Sequence, residues 1–192
     1  GDPTTHSGTA STGTLDLLDA NGTRVNQFVA LRGNLVAYKE ESAHALIYKA
    51  SPFYFTQTLL HASLTTISRR AVAPVFNGDQ HLVVTKENII LWDGQNLDRV
   101  GDPIQQDFYN NLNWDAVESI WVVYSPLTEE VLIGIPVGSA TLPNKVWIYN
   151  LRYNSWWPTD LDFLAAAPVF NVWSPPRLVG VHPAAKKIYH LF

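Results

Sequence analysis

Short apolar runs separated by polar turns recur along the chain. Leu35-Val36-Ala37-Tyr38 is followed by Lys39-Glu40-Glu41-Ser42 and then Ala43-His44-Ala45-Leu46-Ile47-Tyr48. His81-Leu82-Val83-Val84 is followed by Thr85-Lys86-Glu87-Asn88 and then Ile89-Ile90-Leu91-Trp92. Ile120-Trp121-Val122-Val123-Tyr124 leads through Ser125 to Glu130 into Val131-Leu132-Ile133-Gly134-Ile135. Leu178-Val179-Gly180-Val181 leads through His182 to Lys187 into Ile188-Tyr189-His190-Leu191-Phe192. Runs rich in β-branched and aromatic residues, joined by a few turn formers, predict four β-hairpins. The runs are almost continuously apolar rather than alternating, which predicts sheets covered on both faces.

From Leu35 to Leu82, Trp121 and Leu178 the steps are 47, 39 and 57 residues. Propeller blades repeat at roughly 40–50 residues. The expected fold is therefore all-β: a β-propeller-like array of divergent strand-pair blades over residues 1–192, with loop insertions accounting for the unequal steps. Four units stand at the lower bound for a closed propeller, so the ring is either small or completed by other chain segments. Lys145-Val146-Trp147-Ile148-Tyr149-Asn150, a polar turn, then Ser155-Trp156 has the outer-hairpin pattern of kelch-like blades.

One short helix is predicted. Asp102 is placed to cap it, Pro103 fits its first position, and Ile104, Phe108 and Leu112 share one face, giving a helix from Pro103 to about Asn111. Residues 1–13 are rich in Gly, Ser and Thr and are expected to form a flexible polar segment. Asp19-Ala20-Asn21-Gly22 is expected to turn the chain between Thr14–Leu18 and Arg24–Phe28.

Composition narrows the chemistry. The chain has no Cys, so disulfides and thiolate metal sites are excluded. A net charge of −4, with Arg69-Arg70 and Lys186-Lys187 as the only basic doublets, argues against a general nucleic-acid or anionic-membrane binder. No stretch is long and apolar enough to span a bilayer; the best, Phe163 to Trp173, is short and holds Pro168. Met is absent even at position 1, so a removed N-terminus or an excerpt of a longer polypeptide is expected.

No catalytic, metal or cofactor site emerges, and the chain is read as a non-enzyme. The six His share no metal-ligand spacing, and His44 and His81 fall in or beside strands, where a structural role is expected. Glu40-Glu41 and Glu129-Glu130 lie in predicted turns, and Asp79, Asp93 and Asp107 sit beside Gly or in loops, so none makes a glycosidase pair. No nucleophile elbow or phosphate-cradling loop occurs. Trp156 and Trp157 form a candidate sugar platform, weighed against packing at a blade edge. The apolar C-terminal strand offers a candidate interface in Ile188, Tyr189, Leu191 and Phe192, because an uncovered strand edge templates association.

Several segments, in order, carry a family likeness. They are Gly1-Asp2-Pro3-Thr4, Leu31 through Ser42, Gly78 through Thr85, Asn88 through Gly94, Val100 through Phe108 followed by Asn111-Leu112-Asn113, and Val146 through Asn150 with Trp156. Their succession resembles large virion proteins of tailed bacteriophages, including propeller-containing tail components. Ala43-His44-Ala45 departs from the bulkier residues usual there. The resemblance implies a structural virion part made in the host cytoplasm, a nozzle or hub at the tail tip. It would assemble as a homo-oligomeric ring with other tail proteins around the path of transiently passing DNA. The alternative from a different class is a carbohydrate- or receptor-binding, lectin-like adhesin using Trp156 and Trp157.

Overall fold

A computed structural model describes residues 17, 23–49, 55–159, 163, 165–169, 177–182 and 187–190. The first sheet is β1 (Val25–Leu31), β2 (Asn34–Lys39), β3 (Ala43–Tyr48) and β4 (Phe55–His61); the second is β5 (Val72–Val75), β6 (Gln80–Val84), β7 (Ile89–Trp92) and β8 (Leu97–Arg99). The third is β9 (Trp121–Ser125), β10 (Glu130–Ile135), β11 (Lys145–Asn150) and β12 (Ser155–Thr159); the fourth is β13 (Ala165–Val169), β14 (Arg177–His182) and β15 (Lys187–His190). Each sheet is an antiparallel meander of consecutive strands, and none closes on itself. The chain is all-β with one short α-helix among the described residues.

All four predicted hairpins form, but they do not occupy equivalent places. β2–β3 and β6–β7 are the middle strands of their sheets, β9–β10 are the first two, and β14–β15 the last two. That offset corrects the reading of the unequal steps. The first strands begin at Val25, Val72, Trp121 and Ala165, so the true repeat steps are 47, 49 and 44 residues. Loop insertions are not needed to explain 39 and 57; the markers were different strands of the repeat.

The helix also needs correction. Asp102–Ile104 is a 3-10 turn, and the α-helix, α1, spans Gln105–Asn111. The Asp102 carboxylate does not cap it. Oδ1 accepts instead from Asn88 Nδ2 at 2.7 Å and Arg99 Nε at 3.0 Å, tying the turn back to β7 and β8. Phe108, the middle of the predicted apolar face, is fully buried. Most of residues 1–22, including the predicted polar segment 1–13, lie outside the described residues.

The sheets stack face to face and enclose three apolar layers. Val29, Leu31, Val36 and Tyr38 of the first sheet meet Val72, Val83 and Trp92 of the second. Leu82, Val84 and Ile89 of the second meet Val131, Ile133, Trp147 and Tyr149 of the third, with Ile104 and Phe108 closing that layer. Trp121, Val123, Leu132, Val146 and Ile148 of the third meet Phe163 and Leu178 at the fourth. Strand side chains alternate between faces. In β10, Val131, Ile133 and Ile135 therefore serve the middle layer, while Leu132 serves the last. A strand buried on both sides must be apolar at every position, which is why these runs lack alternation.

Trp121 shows how tightly one layer is fitted. It lies directly across from Gly134 in the β9–β10 pair, and a Cβ built on Gly134 would come within 2.2–2.5 Å of the indole. Trp121 Nε1 donates to the Phe163 carbonyl at 3.0 Å, which anchors the approach to β13. Gly134→Ala is expected to cost about 1–3 kcal/mol by overpacking. Urea denaturation will check this; adding Trp121→Val, which vacates the space, will make the alanine nearly neutral in that background.

Candidate functional site

The first strand of each sheet lies against that of the next: β1 against β5, β5 against β9 and β9 against β13. Together they line a cavity of about 450 Å³. Its wall is made by Gln27 and Ala30 from β1, Val72 to Pro74 from β5, Val122 to Tyr124 from β9, and Ala166 and Ala167 from β13, with Asn77, Gly78 and Pro126 beyond the strand ends. No acidic or basic side chain is among these residues. Gln27 uses its amide within the wall: Nε2 donates to the Val72 carbonyl at 3.0 Å, and Oε1 accepts from the Val72 N–H at 3.3 Å. A side-chain amide thus satisfies both polar groups of a backbone edge that no strand pairs. Gln27, next to Asn26 at the start of β1, gave no sign of this in the sequence.

Beside the cavity, a buried polar relay joins the first two sheets. His81 Nε2 lies 2.8 Å from the Ala30 carbonyl, and Tyr38 Oη lies 2.6 Å from His81 Nδ1. The carbonyl can only accept, so Nε2 carries the proton and Nδ1 accepts from the tyrosine hydroxyl. Burial holds the His81 pKa below its ordinary 6.5, against the upward pull of the Ala30 bond, and drives the Tyr38 phenol well above 10.0. The pair is a neutral imidazole and a neutral phenol in a dry interface. Trp92 closes it, edge-on to both rings. His44 is fully buried as well, with Ser42 Oγ at 3.1 Å from Nε2 and Gln57 Oε1 at 2.9 Å from Nδ1. Both histidines serve the fold.

The two tryptophans of the sugar-platform reading are not brought together. They are neighbours on β12, so their side chains leave opposite faces. Trp156 turns inward, stacked on Tyr149 with ring centroids 4.6 Å apart, and its Nε1 donates to the Val100 carbonyl at 2.7 Å. Trp157 alone is exposed. The platform needs both rings on one surface, and this geometry does not supply it; Trp156 instead fastens the third sheet to the second.

The carboxylates hold turns and ion pairs. Glu40 pairs with Arg24, Glu129 with Arg152, and Asp107 with Lys145. Asp93 accepts from the backbone N–H groups of Asn96 and Gln95 and from the Asn96 amide, which holds its pKa down at about 2. Among the described residues, no three His, Asp or Glu converge to hold a metal ion, and no helix is long and apolar enough to cross a membrane.

The C-terminal strand splits by face. Ile188 is 73% exposed, whereas Tyr189 packs its ring edge toward Phe163 and His182 and is 41% exposed. Leu191 and Phe192 lie outside the described residues. Of the Phe163–Trp173 stretch, Phe163 is buried and Ala165–Val169 forms β13, while residues 164 and 170–173 lie outside the described residues.

No protein-family model matches the chain, and no curated protein matches it. Among solved structures, it is similar to the extracellular domain of a putative one-component system from B. thetaiotaomicron, with a TM-score of 0.39 and 13% identity. The alignment covers 95% of this chain and 30% of that one, a likeness too slight to carry an argument.

The Tyr38–His81 relay predicts a stability plateau. Below pH 6.5 the unfolded chain takes up a proton that folded His81 refuses, so stability falls with acidification. Above pH 10.0 unfolded Tyr38 loses a proton that the folded phenol keeps, so stability falls again. Asp93 and Asp102, held below 3.8, add to the acid loss only at lower pH. Denaturation midpoints followed from about pH 7.5 down to about pH 4.5, across the titration window of histidine, will drop for the wild type and stay flatter for His81→Gln; an equal drop in both would refute the assignment. Tyr38→Phe, which leaves Nδ1 bare, is expected to cost about 1–3 kcal/mol at neutral pH.

Proposed function

We propose that this chain is a non-enzymatic structural part of a tailed-bacteriophage virion, a nozzle or hub component at the tail tip, whose sheets are blades of a β-propeller. The blade reading is supported by the regular first-strand spacing, the side-by-side first strands and the face-to-face stacking. The virion reading rests on the ordered family likeness of the sequence segments.

The observation that carries the assembly role is at the two ends of the stack. The two inner sheets lie between neighbours; among the described residues, each outer sheet leaves part of one face exposed, although Ala37 and His44 on the outward face of the first sheet are buried. By register, Phe28, Leu35, Leu46, Tyr48, Phe55 and Leu59 share the outward face of the first sheet. Five of these six are exposed, Tyr48 at 68%. On the fourth sheet, Ala165, Val179, Val181 and Ile188 share the outward face, with Val181 and Ile188 exposed. Apolar faces of this extent mark contact surfaces. The reading puts a neighbouring copy of the chain against them, in a ring with other tail proteins. The DNA path then belongs to the ring. The 450 Å³ cavity of one chain has no room for a duplex whose major groove alone is about 12 Å wide.

Two experiments test this. Immunogold labelling of purified tailed particles should mark the tail tip, and mass spectrometry should find the chain in the particles; its absence from them would remove the virion reading. In solution, light scattering should show concentration-dependent association. Phe55→Lys with Leu59→Lys should reduce it while leaving the melting temperature unchanged, because both side chains are solvent-facing in the single chain. Each such side chain buried on association contributes about 1.5–3 kcal/mol. A wild type that stays monomeric at high concentration, or association indifferent to both lysines, would count against it; coverage by another sheet of the same polypeptide would give that monomer only in the longer protein.

A further inference from the structure

Basic residues that look scattered in the sequence converge in space. Arg24 immediately precedes β1, Arg69 and Arg70 precede β5, and Glu118 precedes β9. The first strands lie side by side, so the segments leading into them meet at one end of the stack. These four residues line a cleft of about 520 Å³. It is separate from the cavity between the first strands, shares no residue with it, and differs in kind: one is lined by uncharged residues, the other by three arginines and a glutamate.

The three arginines are not equivalent. Arg24 is already engaged: its Nη2 pairs with Glu118, and its Nε lies 2.7 Å from Glu40. Two carboxylates therefore offset and orient that guanidinium. Arg69 and Arg70 are exposed, and among the described residues neither guanidinium has an ion-pair or hydrogen-bond partner. Their backbone is nevertheless fixed. The Arg70 carbonyl accepts from Val122 N–H of β9 at 3.0 Å, while Ala71 and Val72, next in the chain, are buried. Two unpaired guanidiniums on an anchored segment lose less freedom on gripping a ligand than two on a loose loop.

We infer that Arg69 and Arg70, with Arg24 behind them, form a binding site for a phosphate group. The choice of phosphate follows from donor number. Each guanidinium presents five N–H donors in a planar fork. A carboxylate brings one negative charge on two coplanar oxygens, whereas a phosphate brings up to about two charges on a tetrahedron of oxygens that two forks can approach from different sides. Glu118 limits the site, since it lines the same cleft and its negative charge opposes an anion there. The inference stands on the cleft alone and does not depend on the virion reading; a phosphate group can reach it from a small phosphate or from a nucleic-acid backbone.

The test is calorimetric titration of inorganic phosphate into the full chain at constant ionic strength, with chloride as the balancing anion. Saturable binding at one site per chain is expected. Charge-assisted hydrogen bonds of this class are worth enough that Arg69→Ala and Arg70→Ala should each weaken binding about tenfold or more, and the double variant should abolish it. Glu118→Gln should tighten it, a change of opposite sign that loss of structure would not produce. Thermal melting checks that the variants fold. In the wild type, the guanidinium NMR signals of Arg69 and Arg70 should shift with phosphate and not with equal chloride. A second arm uses a short DNA duplex. Binding whose salt dependence shrinks in the double variant identifies a nucleic-acid source; phosphate binding without duplex binding identifies a small one. No saturable phosphate binding, or binding indifferent to both alanine variants, would overturn the inference.

Discussion

A sheet whose strands are apolar on both faces cannot stand alone in water, and that constraint shapes this molecule. In β6, β7, β10 and β11 nearly every side chain is buried or half-buried because a neighbouring sheet lies on either side. Burial of one such side chain is worth about 1.5–3 kcal/mol, so a single sheet left bare would forfeit many of them together. Stacking is the only arrangement that covers both faces of consecutive meanders, and it leaves two faces over, one at each end.

Apolar stacking is non-directional, so something else must set how one sheet sits on the next. Here that is done by a few polar contacts that cross between sheets. His81 and Gln27 join the first two sheets, Trp156 joins the third to the second, and Trp121 joins the third to the segment entering the fourth. Each of these bonds is buried or part-buried, so losing a partner would leave a costly orphan, and the penalty enforces a particular offset between sheets. The tight fit of Trp121 over Gly134 works in the same direction through shape.

The surfaces the stack presents differ by location. The faces at its two ends are apolar and suit contact with further protein. The cavity between the first strands is uncharged. The cleft where the chain enters those strands carries arginines. An overall charge of −4 conceals this last feature, because net charge reports the sum over the chain and not its distribution.

By itself the sequence determined the all-β class, the four hairpins and the two-sided burial of β6, β7 and β10, since continuous apolar runs bounded by turn formers admit few alternatives. It also marked His81 as a fold residue and Phe108 as the buried side of a helix. It did not determine which strand of each sheet a hairpin supplies. Short strands such as β8, Leu97–Arg99, are too polar to register, and β5 is interrupted by Pro74, so the repeat was counted from unlike markers. Asp102 reads locally as a helix cap, yet Asn88 and Arg99 claim its carboxylate. The separation of Trp156 from Trp157 follows from strand alternation once β12 is known to be a strand through both. Only the tertiary structure could bring Arg24, Arg69 and Arg70 together, because their proximity is set by the first strands of stacked sheets lying side by side across more than forty residues of chain, a distance at which local pattern carries no information.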